Sequence, residues 1–447
     1  MKKYIKLILP VITILITLIT VIAVLRLNIL PNKYLILFII GEIVLLLISL
    51  IQLLKNKILK VIGIVISIIS ILINIFGLYY INNTNSFLNK KFTGDITYSS
   101  TYYVITNSKE DLTLDDIEDI HYYKYSPNVD KAKELLGEYN YKETENIEET
   151  LKKEVYLLID ESNYKLLNKE YKKIYEFNIE WSEKRVSNKQ DSYNIFIGGR
   201  DFTRSLMDFN MLLTINTKTK TILITSIPRD YYMYVPDYGM YDSLEFMGLL
   251  GERTTMNSLS NLLDTNIDLY ASLYTEGLVE VVDLLGGIDY CSDIDFTTTH
   301  ALVQDTYYDY GEKLTIHKGC QHLNGIETLT VARERKHVGS DRARQNNCRQ
   351  IFKTIMNDSL SMTTLTNYEE LLNKVSNLYE TNIDKKTIQK LIKSLINNKY
   401  TIIEQSLDGS DGSNYIRLGA VQSYVMYPNT SSVERAKDNI KTVLEGK

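Results

Sequence analysis

The chain has 447 residues, 45% of them hydrophobic, and a formal net charge of −5. That balance excludes a general nucleic-acid binder, which needs a basic surface. Three cysteines give no disulfide framework and leave a Cys291–Cys320 bridge open, and no pair of the five histidines has metal-ligand spacing.

Three apolar runs open the chain: Leu7 to Leu25, Tyr34 to Leu54 and Ile58 to Tyr80. Each is long enough to cross a hydrocarbon core of roughly 30 Å as a helix. The loops between them are short, so an up-down-up bundle is expected. A signal peptide is the rival reading of the first run. No small-residue cleavage site follows it, and two further runs do. Lys2, Lys3, Lys6, Lys55, Lys57 and Lys60 outnumber Arg26, Lys33, Lys90 and Lys91. The bias predicts a multi-pass protein of the cell membrane with a cytoplasmic amino terminus, and everything after Tyr80 outside. Glu42 is an intramembrane functional candidate by default, but a carboxylate packed against neighbouring helices is the favoured reading.

Residues 92–188 are expected to form a small α+β accessory domain, extracellular and free of any catalytic constellation. Thr97 to Ile105 reads as a strand, and Asp130 to Tyr139 and Ile147 to Ile159 have helical spacing. The polar stretch Val186 to Ser192 marks the boundary, so residues 1–91 are the membrane region and 189–447 a second domain. There a buried strand, Tyr193 to Ile197, runs into Gly198-Gly199-Arg200-Asp201, whose glycines leave room for a ligand. Asn210 to Ile215 and Thr221 to Ile227 are almost continuously apolar, as central strands are, and Pro228-Arg229-Asp230 ends the second. Thr275 to Leu285 is an amphipathic helix stopped by Gly286-Gly287, and Ile288 to Cys291 starts another strand. Gly319 to Arg335 reads as loop, short helix and strand, which puts Arg333 and Arg335 on one strand face. A helix from Asp341 to Ser359 aligns Asp341, Arg344 and Cys348. Helices Tyr368 to Tyr379 and Lys385 to Asn397 follow, then a plain loop from Leu407 to Ser413, a strand, and a last helix from Ser431. Strand and helix alternate, so the fold class is α/β, a sandwich around one sheet.

Convergent guanidinium groups hold phosphate bidentately, and carboxylates at strand ends hold a hard divalent cation. Arg229, Arg333, Arg335 and Arg344 with Asp201 and Asp208 therefore suggest a pyrophosphate site. Taken alone, each arginine reads as a surface ion pair, and Asp201 after Gly-Gly reads as a turn residue.

The ordered segments Asn194-Ile195-Phe196-Ile197-Gly198-Gly199-Arg200-Asp201, Ser226-Ile227-Pro228-Arg229-Asp230, Val282-Asp283-Leu284-Leu285-Gly286-Gly287-Ile288, His322-Leu323-Asn324-Gly325 and Arg333-Glu334-Arg335 carry a resemblance. With Asp208, Asp341 and Arg344 they resemble the LytR–CpsA–Psr family of Gram-positive cell-envelope phosphotransferases, from about Tyr193 to Ile355. The three spans and the inserted domain look like its CpsA-type branch, tied to capsular polysaccharide.

The resemblance implies an αβα-type sandwich with an apolar lipid pocket. It implies transfer of a capsular or teichoic-acid-like glycopolymer from a polyprenyl-pyrophosphate carrier to peptidoglycan through a phosphodiester. Asp201 and Asp208 would bind Mg²⁺; Arg229, Arg333, Arg335 and Arg344 would clamp the pyrophosphate; Asp201, Asp208 and Arg229 would be catalytic. The pocket is expected between the Thr275 to Leu285 helix and the strands Asn210 to Ile215 and Thr221 to Ile227. The chain departs from the family pattern at Ser243-Leu244-Glu245-Phe246-Met247, where a Lys-Leu-x-His-Ala element is expected. It departs again at the stretched Arg204-Ser205-Leu206-Met207-Asp208, at Ser272 and at Cys348. These departures motivate a second reading, a non-catalytic polyprenyl-phosphate binder or export scaffold; a third is a lipid pyrophosphatase, in which water replaces the sugar acceptor.

Overall fold

The computed structural model describes residues 2–109, 113–167, 169–302, 311–358, 374, 378–397, 399–418 and 421–447. Three helices, Lys2–Leu27, Asn32–Leu50 and Lys57–Phe92, are long and apolar enough to cross a membrane. Their polar side chains turn inward. Asn74 donates to Glu42 at 3.1 Å and Gln52 to Ser67 at 2.7 Å, so Glu42 is a packed, hydrogen-bonded carboxylate. Gly63 lets the backbone of Gln52 approach, since a Cβ there would meet it at 2.3 Å.

The third helix does not stop at Tyr80 but continues to Phe92. Its last turns dock onto the Lys385–Asn397 helix: Lys385 donates to Asn85 and Asn89, both at 2.7 Å, and Phe92 packs with Tyr379 and Ile388. Gln389 donates to the Leu27 carbonyl at 2.7 Å.

A mixed five-stranded sheet follows, made of β1 (Ile96–Thr106), β2 (Asp119–Tyr123), β3 (Asn140–Thr144), β4 (Tyr156–Asp160) and β5 (Lys172–Glu183) in the order β3-β2-β4-β1-β5. Between β2 and β3 lies the Val129–Leu136 helix. The helix expected over Ile147 to Ile159 is only one turn, Ile147–Thr150, and its second half is β4. Leu157, Leu158 and Ile159 are buried on both sheet faces, and such a short apolar run fits either element by periodicity.

The larger sheet takes β6 (Ser192–Arg200), β7 (Met207–Asn216) and β8 (Thr221–Ser226) as an antiparallel centre. A hairpin of β9 (Tyr232–Val235) and β10 (Met240–Ser243) lies outside it. β11 (Leu269–Leu273) joins β6 in parallel. Two further pairs form a satellite: β12 (Ile288–Ser292) with β15 (Gly319–Leu323), and β13 (Phe296–Ala301) with β14 (Lys313–Ile316). Cys291 and Cys320, directly opposite in the first pair, form a disulfide. β16 (Tyr379–Thr381) and β17 (Thr401–Ser406) complete the sheet in the order β16-β11-β6-β7-β8-β17.

Side chains alternate between two cores. Phe196, Leu212 and Leu223 share one core with residues of the Glu252–Leu263 and Thr430–Glu445 helices. Ile195, Met211, Leu213, Ile222 and Ile224 pack on the other face, against the Asp341–Asp358 and Lys385–Asn397 helices. The result is an αβα sandwich.

Three other expectations need correction. Arg333 and Arg335 share no strand: Arg333 ends the Gly325–Arg333 helix, which a reciprocal Asn324–Glu327 capping box starts. The β-branched run before Arg333 imitates a strand, but cap and packing decide. Asp408 to Ser413 is no plain loop, because β18 (Gly409–Ile416) pairs there with β19 (Val421–Pro428) in a hairpin. The helix expected over 368–379 falls mostly outside the described residues, and its last residue, Tyr379, opens β16.

Candidate active site

β6 and β7 end together in the turn 201–206. Asp201 organises this turn: its carboxylate accepts from the Thr203 hydroxyl at 2.7 Å and from the Ser205 and Leu206 amides, each at 3.0 Å. Arg204 takes a left-handed backbone conformation, φ 61°, and its amide donates to the Asp201 carbonyl. The stretched Arg204–Asp208 segment is thus a closed turn that delivers Asp208 to the first positions of β7.

Asp208 is the hub of the charges. Arg229 bonds its carboxylate, Arg335 approaches to 4.0 Å, and Arg344 donates to its backbone carbonyl at 3.0 Å. Burial alone would push the Asp208 carboxyl up; Arg229, Arg344 and Arg335 overcome that and hold it below the usual carboxylate range. Arg229 also binds Glu245 at 2.8 Å and lies 3.7 Å from Asp230. Glu245 sits in the Leu244–Met247 turn, and its amide donates to the Arg229 carbonyl at 2.7 Å. Burial lifts the Glu245 carboxyl to about 7, against the opposing pull of Arg229 and with Asp208 and Asp230 adding to it. Sequence reasoning missed Glu245 as a site residue. The available signal was the departure at Ser243 to Met247, which puts one charge in an apolar turn beside the Pro228-Arg229-Asp230 corner.

A cavity of about 380 Å³ opens beside Asp208, with Arg333 and Arg344 in its wall. The rest is almost wholly apolar. It takes Ile197 and Phe209 from the sheet, Leu278 and Val281 from the Thr275–Leu285 helix, and Ile351 and Ile355 from the Asp341–Asp358 helix. Gly199 keeps the floor clear; a Cβ there would meet Phe209 at 2.8 Å. Ser272 and Cys348 also line the wall, where the sequence departs from the family pattern. The volume falls in the range of small-molecule pockets, far above ordinary packing voids. The helix expected as a wall is one. The strands Asn210 to Ile215 and Thr221 to Ile227 are not, because helices cover both their faces; β6, β11 and the Asp341–Asp358 helix take their place.

The four arginines therefore divide. Arg333 and Arg344 face the cavity, while Arg229 and Arg335 reach Asp208 outside its lining. Among the described residues no group of three or more His, Cys, Asp or Glu could hold a metal ion. Asp201 and Asp208 flank the turn between β6 and β7, where Asp201 spends its carboxylate on the turn and Asp208 on Arg229. Mg²⁺ takes one or two carboxylates and fills its other positions with water and substrate phosphate oxygens. This donor set fits an ion that arrives with a phosphate better than a resident one.

The LytR_cpsA_psr family model matches residues 154–442, more than half of the chain. The chain belongs to the LytR_cpsA_psr family. Within it, this LytR_cpsA_psr protein is 31% identical over 207 residues to the polyisoprenyl-teichoic acid–peptidoglycan teichoic acid transferase TagU of Bacillus subtilis, covering 45% of this chain and 63% of that one. It is 25% identical over 272 residues to TagV of the same organism, a transferase of the same description, covering 58% and 66%. The chain thus spans less than two thirds of the length of these relatives. The crystal structure of B. subtilis TagV aligns with a TM-score of 0.48 at 25% identity, over 58% of this chain and 99% of that one.

Proposed function

We propose that this protein transfers a glycopolymer, with its phosphate, from a polyprenyl pyrophosphate to a peptidoglycan hydroxyl on the outer face of the membrane. One observation carries the reading: an apolar cavity opens where Arg333, Arg344 and Asp208 meet. A polyprenyl chain needs such a cavity and its pyrophosphate needs such a mouth. The lysine bias of the spans, the Cys291–Cys320 disulfide and the activity named for the Bacillus relatives support the outer-face assignment and the acceptor.

In this reading the acceptor oxygen attacks the phosphorus next to the sugar. The P–O–P bridge breaks and polyprenyl monophosphate leaves. Phosphoryl transfer asks the protein for positioning and charge neutralisation. Arg333 and Arg344 hold the lipid-side phosphate at the cavity mouth, and Arg229 and Arg335 hold the transferred phosphate. Before substrate enters, Asp208 and Glu245 supply the counter-charge that keeps Arg229 in place. Glu245, titrating near neutrality, then takes the acceptor proton. Asp201 and Asp208 would hold a Mg²⁺ accompanying the pyrophosphate, and that ion would neutralise charge on the departing phosphate.

A second reading has its own observation. Three carboxylates, Asp208, Asp230 and Glu245, already surround Arg229, which favours a lipid-pyrophosphate binder without turnover. One experiment separates the two. Full-length protein in detergent is given a synthetic polyprenyl-pyrophosphate-linked oligosaccharide and peptide-free glycan strands, and lipid monophosphate and glycan product are followed by mass spectrometry. The transferase reading expects both products, with loss of about 100-fold or more in Glu245→Gln, the scale of general-base removal. Binding without product would leave the binder. Lipid monophosphate with no glycan adduct would mark a pyrophosphatase.

A further inference from the structure

Two hairpins that do not line the cavity share an aromatic surface. In β9–β10, Tyr234 and Tyr241 are directly opposed and their ring centroids lie 5.3 Å apart, while Tyr232 stacks diagonally on Tyr241 at 6.0 Å. Tyr427 of β19 meets Tyr232 edge-on at 5.8 Å and joins the hairpins into one surface. These rings are not core. Tyr241 is 55% exposed, and Tyr234 and Tyr427 37% each.

Cross-strand tyrosine pairs stabilise a hairpin, and that alone would account for Tyr234 and Tyr241. It does not account for Gly412. A Cβ on Gly412 would meet the Tyr427 ring at 2.3 Å, so the glycine lets that ring lie down over β18 with one face to solvent. Nor does it account for the position of the surface. The Met426 amide donates to the Asp230 carbonyl at 2.7 Å, and Tyr232 stands three residues from Arg229, so the tyrosines begin beside the site. They extend from the side of the site that the cavity does not occupy.

We propose that Tyr232, Tyr234, Tyr241 and Tyr427 form the platform that seats the acceptor glycan strand. The proposal rests on the transfer reading above. Flat rings with electron-rich faces and polar hydroxyl rims match pyranose rings, which present C–H groups on their faces and hydroxyls at their edges. An extended glycan needs several rings in a row, as the two joined hairpins provide. The geometry of transfer selects the acceptor over the donor polymer. In-line displacement puts the attacking oxygen opposite the leaving group. The leaving lipid phosphate lies at the cavity mouth, so the attacking hydroxyl enters from the Arg229 and Glu245 side, where the tyrosines start.

The test uses the full chain in detergent with peptide-free, polymer-free glycan strands as the probe. Affinity is measured for wild type, Tyr241→Ala/Tyr427→Ala and Tyr241→Phe/Tyr427→Phe, with binding of a short polyprenyl pyrophosphate as the control for folding. The alanine pair should bind glycan about tenfold or more weakly, on the scale of stacking on two aromatic rings. The phenylalanine pair should stay within about twofold, because the ring faces remain. Lipid-pyrophosphate binding should be unchanged in all three. Unchanged glycan binding in the alanine pair would overturn the proposal, as would an equal loss in the phenylalanine pair. If the surface retained the lipid-linked polymer but not acceptor strands, the acceptor assignment would fall. Ring-dependent glycan binding without any transfer would leave the platform standing and remove only the transferase reading.

Discussion

The face of the large sheet that carries Ile195 and Leu213 differs sharply between its two ends. At one end Tyr193, Ile195, Met211, Leu213 and Ile222 fill the space under the Lys385–Asn397 helix, and the core is closed. At the other end the same alternation along β6 continues through Ile197 to Gly199, and Phe209 stands beside a gap instead of a neighbour. Large β-branched and aliphatic side chains give way to glycine, alanine and serine over four residues, and the core becomes a cavity. The hollow end is also the charged end, since Asp208 and Arg344 stand at its rim. A single sheet can thus hold a packed core and a ligand site, because packing is decided residue by residue along each strand.

Substitutions at the two ends should therefore have opposite signatures. Ala271→Phe, which fills the hollow end, should weaken polyprenyl-pyrophosphate binding by about 100-fold, since displacing ~110 Å² of apolar ligand contact at ~25 cal/mol per Å² gives that factor. Its Tm should hold. Unchanged affinity, measured with a fluorescent lipid pyrophosphate, would remove the cavity from the function. At the rim, Arg333→Lys or Arg344→Lys should lower turnover by roughly 10-fold to 100-fold although charge is kept, because the planar fork is lost. Turnover equal to wild type in both would break the clamp.

At the closed end, Leu213→Ala should cost about 2–5 kcal/mol in denaturant unfolding while lipid affinity stays the same. A loss of affinity there would show that the two ends are coupled. A further effect concerns Glu245. Its carboxyl titrates at about 7 in the folded chain, above its ordinary value of 4.5, so the folded state binds the proton more tightly than the unfolded state. Stability should then fall as pH rises from about 4.5 to 7 and level off above, by on the order of 3 kcal/mol. Glu245→Gln should flatten that slope in unfolding curves taken across the window; a slope unchanged by the substitution would assign it to other groups.

Much of this was legible in the sequence, for identifiable reasons. Strands β7 and β8 and the Thr275–Leu285 helix follow from uninterrupted or amphipathic apolar patterns, and the three spans follow from length. Asp208, Arg229 and Arg344 sit beside glycine, proline and chain corners, which mark them locally. What the sequence hid is what packing decides. Arg333 belongs to a helix because a capping box nine residues earlier starts one. The cavity walls come from β11 and the Asp341–Asp358 helix because those elements cross the hollow end, a fact of topology with no local trace. Glu245 acquires its role only when the Leu244–Met247 turn closes on Arg229. The division of the arginines between cavity and exterior is likewise a matter of which element each ends on.

The overlong third membrane helix acts as a fixed standoff. Its 36 residues span about 54 Å at 1.5 Å each, so crossing a hydrocarbon layer of about 30 Å would leave roughly 24 Å of rod beyond the bilayer. The rod cannot swivel freely under its load, because Lys385 and Gln389 clamp the α/β domain to it and to the end of the first helix. Phe92 at its tip rests against Tyr379, itself a wall of the cavity, with ring centroids 6.3 Å apart. The cavity is therefore held at a set distance from the apolar part of the helix, with one wall against its end. In the transfer proposed above, a lipid tail would reach the cavity along that rod, and the glycan would come down to meet it.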